Sequence, residues 1–133
     1  MVTRFEPIYG RTAEIIEALM ASDDMPLSDD LRFKLRLCIE EMVNNIVSYA
    51  YDGGKGWVEV STDLTDGSLT ITLKDEGVAF NPLAKDDPDI TLSAEDRQIG
   101  GLGIYLCKQL MDHLEYERLD GCNIFRMTRN LDA

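Results

Sequence analysis

Apolar residues recur along this chain with two different periods, and each change of period marks a new element. Val2 to Ile8 has the composition of a short strand, and Thr12 to Ala21 then carries Ile15, Ile16, Leu19 and Met20 at helical spacing. Asp23 to Pro26 breaks the pattern. Ser28 follows as a helix N-cap, with Asp29 and Asp30 in the first turn, where the helix dipole favours negative charge. Leu31, Leu35, Cys38, Ile39, Met42, Val43, Ile46, Val47 and Ala50 predict one long helix, which Gly53 and Gly54 should end. Strict alternation then appears in Val58–Ser61 and again in Leu69–Leu73, with Asp66-Gly67 as a tight turn between two strands. Between Glu76 and Ile99 the periodicity fades among acids and prolines, which predicts a long binding loop or lid. Leu102, Leu106, Leu110 and Leu114 restore helical spacing. Tyr116–Leu119, an Asp120-Gly121 turn and Ile124–Thr128 predict a closing hairpin.

This succession has too few alternating strand–helix–strand units for a doubly wound parallel sheet. It predicts an α+β two-layer sandwich, with helices on one face of a mostly antiparallel mixed sheet. A length of 133 residues fits one domain, residues 1–133. The formal net charge of -12 repels polyanions, which argues against nucleic acid and anionic membranes as partners. Cys38, Cys107 and Cys122 show no paired spacing, and with His113 as the one histidine they make no zinc set. No signal peptide is visible and no apolar run approaches the ~20 residues of a membrane span, so a reduced cytoplasm is the expected setting.

Three blocks carry candidate chemistry. Glu41 and Asn45 lie at i and i+4 beside the apolar stripe, so both side chains project near the rim of the core. In isolation such a pair reads as a solvated acidic edge. As a site, Asn45 offers an oxygen to Mg²⁺, an ion that takes few protein ligands, and Glu41 can accept a proton from an attacking hydroxyl. Asp75, just past a strand, can accept from an exocyclic amino group, and Gly77 lets a flat ring approach the backbone; a plain turn explains the pair equally well. Gly100-Gly101-Leu102-Gly103 is no P-loop, since no Gly-Lys-Ser/Thr follows, and it makes a poor dinucleotide fingerprint. It suits a phosphate seat at a helix N-terminus, or a loop that needs glycine simply to turn. Arg97 adds a cation nearby or a surface charge. Asp86-Asp87-Pro88-Asp89 lacks calcium-loop spacing and reads as solvated lid surface, and His113, near the end of its helix, reads as structural.

Taken in order, these blocks resemble the boxes of the GHKL (Bergerat-fold) ATPases. Glu40-Glu41-Met42-Val43-Asn44-Asn45, running to Tyr49-Ala50-Tyr51, resembles the N box. Asp75-Glu76-Gly77-Val78-Ala79-Phe80-Asn81-Pro82 and Gly100-Gly101-Leu102-Gly103-Ile104 resemble the two glycine boxes. The branch most similar is the anti-sigma-factor serine/threonine kinases of bacterial partner-switching systems. The resemblance implies ATP and Mg²⁺ as cofactors, Asn45 as the Mg²⁺ residue and Glu41 as the catalytic base. It further implies Asp75 and Gly77 at adenine and Gly101 to Gly103 at the phosphates. Tyr49, Val78, Phe80, Arg97, Gly100, Leu102 and Ile104 complete the implied ATP site, under a lid at about residues 76–100. The implied partners are a STAS-type anti-sigma-factor antagonist, phosphorylated on serine or threonine, and a sigma factor or other regulatory protein; a homodimer is a further expectation. The chain departs from the family pattern at Tyr49, where His is frequent, at Asn81, where Asp is frequent, and at Ile99, where an arginine stands in the best-known type.

The same boxes also suit a non-catalytic module that takes up ATP only to present a partner surface. A histidine-kinase catalytic half is the weaker expectation, because Met1 to Ala133 leave no room for a dimerising hairpin with a phospho-accepting histidine beside the domain.

Overall fold

Ser28 accepts a hydrogen bond from the Leu31 amide at 3.3 Å, and from that cap a helix runs over Asp29–Tyr49. It is the second helix, α2, of a computed structural model that describes residues 1–52, 55–84 and 102–131. Before it come the edge strand β1 (Val2–Phe5) and helix α1 (Thr12–Met20). After it come the hairpin β2 (Val58–Thr65) and β3 (Ser68–Asp75), a 3-10 turn at Pro82–Ala84, helix α3 (Leu102–Leu110), and the hairpin β4 (His113–Leu119) and β5 (Cys122–Asn130). The stop expected at Gly53-Gly54 and residues 85–101, which hold most of the lid expected at about 76–100 together with Arg97, Gly100 and Gly101, lie outside the described residues.

The sheet order is β1-β2-β3-β5-β4, and all four pairings are antiparallel, where a partly mixed sheet was expected. β5 is inserted between β3 and β4, so the last hairpin returns to pair with the first. Positive φ at Asp66 and Gly67, and at Asp120 and Gly121, gives both two-residue turns the backbone twist that hairpins favour. Burial alternates along β2 and β3, placing Val58, Val60, Leu69, Ile71 and Leu73 under the helices. There they pack with Ile15, Leu19, Leu35, Ile39 and Met42 into one core. The opposite face is polar: Arg126 holds Glu115 at 2.9 Å and Glu117 at 3.3 Å across the last hairpin.

Two expectations need correction. Helix α3 ends at Leu110, not Leu114, and His113 opens β4. The Asp112 amide donates to Thr128 O at 2.8 Å and its carboxylate accepts from the Asn130 amide, which commits the chain to sheet pairing two residues before Leu114. The buried side of α3 is formed by Ile104 and Cys107, continued by Met111, while Leu106 is 38% exposed. Of the expected leucine stripe, Leu110 and Leu114 pack half-buried against this core, and Leu106 turns away from it. The first strand is also shorter than Val2–Ile8. It stops at Phe5, and the fully buried Ile8 instead donates its amide to Gly56 O at 3.2 Å.

Candidate active site

Met42, Asn45, Ile46 and Tyr49 occupy one side of the C-terminal half of α2, at the i, i+3, i+4, i+7 spacing of a single helical face. With Ala50 they form one wall of a partly open pocket. Leu73 and Asp75 at the end of β3, with Tyr116, Asn123 and Phe125 from the last hairpin, form its floor. Val78, Phe80 and Pro82, from the segment after β3, close one side. Tyr49 and Val78 are mostly exposed and stand at the mouth. The lining is largely apolar with a few convergent polar groups, which suits a flat heteroaromatic ring.

Asp75 is 3% exposed. Its Oδ1 accepts from the Gly77 amide at 2.8 Å and from Asn123 Nδ2 at 3.0 Å. Oδ2 has no partner among the described residues, which leaves an acceptor in a cavity wall. Burial pushes the Asp75 carboxyl above its ordinary value; the bonds from Asn123 and Gly77 and the charge of Arg118 offset part of the rise. Gly77 is required by close approach: a Cβ there would collide with the backbone of Ala50, whose oxygen accepts from the Val78 amide at 2.9 Å. Arg118 donates to Gly77 O at 2.8 Å, and the Tyr51 hydroxyl accepts from the Glu76 amide at 2.7 Å while donating to Trp57 O at 2.6 Å. The turn after Asp75 is thus fastened to the end of α2.

At the other end of the site, the Glu41 carboxyl lies directly against Gly103, where a Cβ would occupy the same space. The structure therefore brings the acid of the first block to the first turn of α3. Asn45 lines the cavity one helical turn further on, with no hydrogen-bond partner among the described residues. Ile104 is not at the cavity; it faces inward and belongs to the core. Leu102 begins α3. Cys38 and Cys107 meet between α2 and α3, and hydrogen bonding to Cys38, with burial, pushes the Cys107 thiol up, so both behave as core residues. Residues that the sequence blocks did not include, chiefly Asn123 and Tyr116, complete the floor. A polar residue at an inward strand position was their one signal, and it gains meaning only once β5 pairs with β3.

A two-layer fold with this cavity between its long helix and its sheet is that of the histidine kinase-like ATPases. The model of the histidine kinase-like ATPase domain matches residues 8–129, and the chain belongs to that family. Its relatives include the serine/threonine-protein kinase BtrW of Bordetella bronchiseptica, 35% identical over 99 residues, 74% of this chain and 70% of the relative. The serine-protein kinase RsbW of Bacillus cereus is 30% identical over 136 residues, 93% of this chain and 85% of the relative. The fold also matches the RsbU and RsbW domains of a Mycobacterium tuberculosis protein, with TM-score 0.64, 14% identity, and coverage of 98% of this chain and 32% of that longer one. Among the described residues, no helix is long and apolar enough to cross a membrane.

Proposed function

We propose that this chain is an ATP-dependent serine/threonine protein kinase of the anti-sigma-factor type, acting on a STAS-type antagonist and holding a sigma factor or similar regulator. The observation that carries this reading is the position of Glu41, an acid packed on the first turn of the glycine-led helix, one helical turn from a cavity that ends in Asp75. The serine-kinase names of the relatives support the reaction class.

The residues fit a magnesium-bound adenine nucleotide. Asp75 presents Oδ2, unpartnered among the described residues, to the exocyclic amino group, and Gly77, Val78 and Phe80 surround the ring with Tyr49 at the mouth. Asn45 has an amide, unengaged among the described residues, to offer Mg²⁺, which is satisfied by few protein oxygens besides phosphate and water. When bound, the nucleotide supplies the phosphoryl group. What this chain contributes is position and a proton acceptor: Glu41 orients the incoming serine or threonine hydroxyl and takes its proton.

Transfer of labelled phosphate from ATP to a cognate antagonist domain should fall by about 10²-fold or more in Glu41→Ala, with Mg-ADP affinity little changed. Transfer at the wild-type rate would remove Glu41 from the mechanism.

A further inference from the structure

Asn123 is 7% exposed, a buried amide on the inward face of β5 directly opposite Asp75 in the strand register. Its Nδ2 donates to Asp75 Oδ1 at 3.0 Å and to Val78 O at 2.7 Å. Its Oδ1 accepts from the Tyr116 hydroxyl at 2.6 Å and from the Phe80 amide at 3.3 Å. A primary amide has two N–H donors and two carbonyl lone pairs, and here all four are used within the protein. The amide orientation is fixed as well, since a flip would set N–H against the Phe80 N–H and oxygen against the Asp75 carboxylate.

We infer that Asn123 is the positioning residue for base recognition, fixing the Asp75 carboxylate and the Val78–Phe80 wall together so that the cavity selects adenine over guanine. The inference rests on the adenine-nucleotide reading of the cavity and names the residue that sets its specificity. Asn123 has no hydrogen-bonding capacity left for the nucleotide, so it acts through Asp75. Because one side chain holds both the carboxylate and the main chain that borders the ring, a shift of either changes the fit of the other. With its Oδ1 held by Asn123 and Gly77, Asp75 can turn only Oδ2 to the base, where it accepts from an amino group and repels the carbonyl oxygen that guanine carries at the same position.

The test is calorimetric titration of Mg-ADP and Mg-GDP into the folded full chain. Asn123→Ala should weaken Mg-ADP by roughly tenfold or more and leave Mg-GDP nearly unchanged, so the preference between the bases collapses. Asn123→Thr, which keeps one donor, should recover part of the preference; if the alanine variant does not fold, the threonine variant carries the same test. In an Asp75→Asn background the Asn123→Ala step should cost little further, because the two act as one unit. The inference is overturned if Mg-ADP affinity stays within about twofold of wild type, if ADP and GDP weaken in proportion, or if the two losses simply add. A wild type that binds no adenine nucleotide overturns the underlying reading and this inference with it. A wild type that prefers ADP through Asp75 but is indifferent to Asn123 overturns the inference alone.

Discussion

At the scale of single residues, the site holds a carboxylate where the fold would rather have none. Asp75 is buried, and burial raises its pKa above the ordinary 3.8, so its ionised form is a cost to the folded protein. The sign follows from linkage. Below 3.8 the group is protonated in both states and costs nothing; as the pH rises toward the raised folded value, stability is lost, and above that value the loss is complete. Asp75→Asn keeps the shape and an acceptor for the Gly77 amide while removing the charge. The variant should therefore be more stable than wild type at neutral pH, and its advantage in urea midpoint should shrink toward zero as the pH falls to 3.8. An advantage that is flat across this range, or that grows in acid, would show that burial does not govern this group. The variant should bind Mg-ADP more weakly despite its greater stability. A residue that destabilises the empty fold and is retained at a cavity wall fits a binding role better than a structural one.

At the scale of elements, two close approaches hold the site together, and they differ in what gives way. Gly77 faces the Ala50 backbone at the end of α2, which cannot move without uncoupling β3 from the helix. Gly77→Ala should cost about 1–3 kcal/mol in chemical unfolding and disturb the whole turn. The atoms nearest a Cβ at Gly103 are those of the Glu41 carboxyl, the far end of a flexible side chain that can swing aside. Gly103→Ala should leave the unfolding midpoint unchanged or higher, since alanine suits a helix better than glycine, yet slow phosphate transfer by about 10²-fold by displacing the carboxylate. Equal stability losses in the two variants would mean that the α3 contact is as rigid as the α2 one. The same elements show what the sequence could convey. Helix α2 was legible because an N-cap, an acidic first turn and an unbroken apolar period agree. The end of α3 was not, because Leu114 satisfies both the helical spacing of Leu106 and Leu110 and the strand alternation of Tyr116. The decision is made by the Asp112–Thr128 pairing, which lies outside any local window.

At the scale of the whole molecule, the contiguous blocks around Glu41, Asn45, Asp75 and Gly77 could be read along the chain, while the floor could not. The Asn123–Asp75 bond spans 48 positions and exists only because β5 inserts between β3 and β4, a consequence of topology that no spacing rule encodes. The net charge of -12 was legible from the start, and it acts on the molecule as a field. A nucleotide that keeps net negative charge after binding Mg²⁺ must approach against that field before any hydrogen bond forms. Salt screens the repulsion: the Debye length falls from ~30 Å at 0.01 M to ~8 Å at 0.15 M ionic strength. The association rate of Mg-ADP, followed by stopped-flow at fixed free Mg²⁺, should therefore rise across that range, opposite to the usual trend for proteins that steer anions with basic patches. The dissociation rate should change less, because the contacts proposed at Asp75, Gly77 and the apolar walls are short-ranged and partly buried. An association rate that falls with salt would mean that cations near the mouth dominate the local potential. Arg118, the cation fastened to the Gly77 carbonyl beneath the Asp75 turn, would then be the first substitution to make.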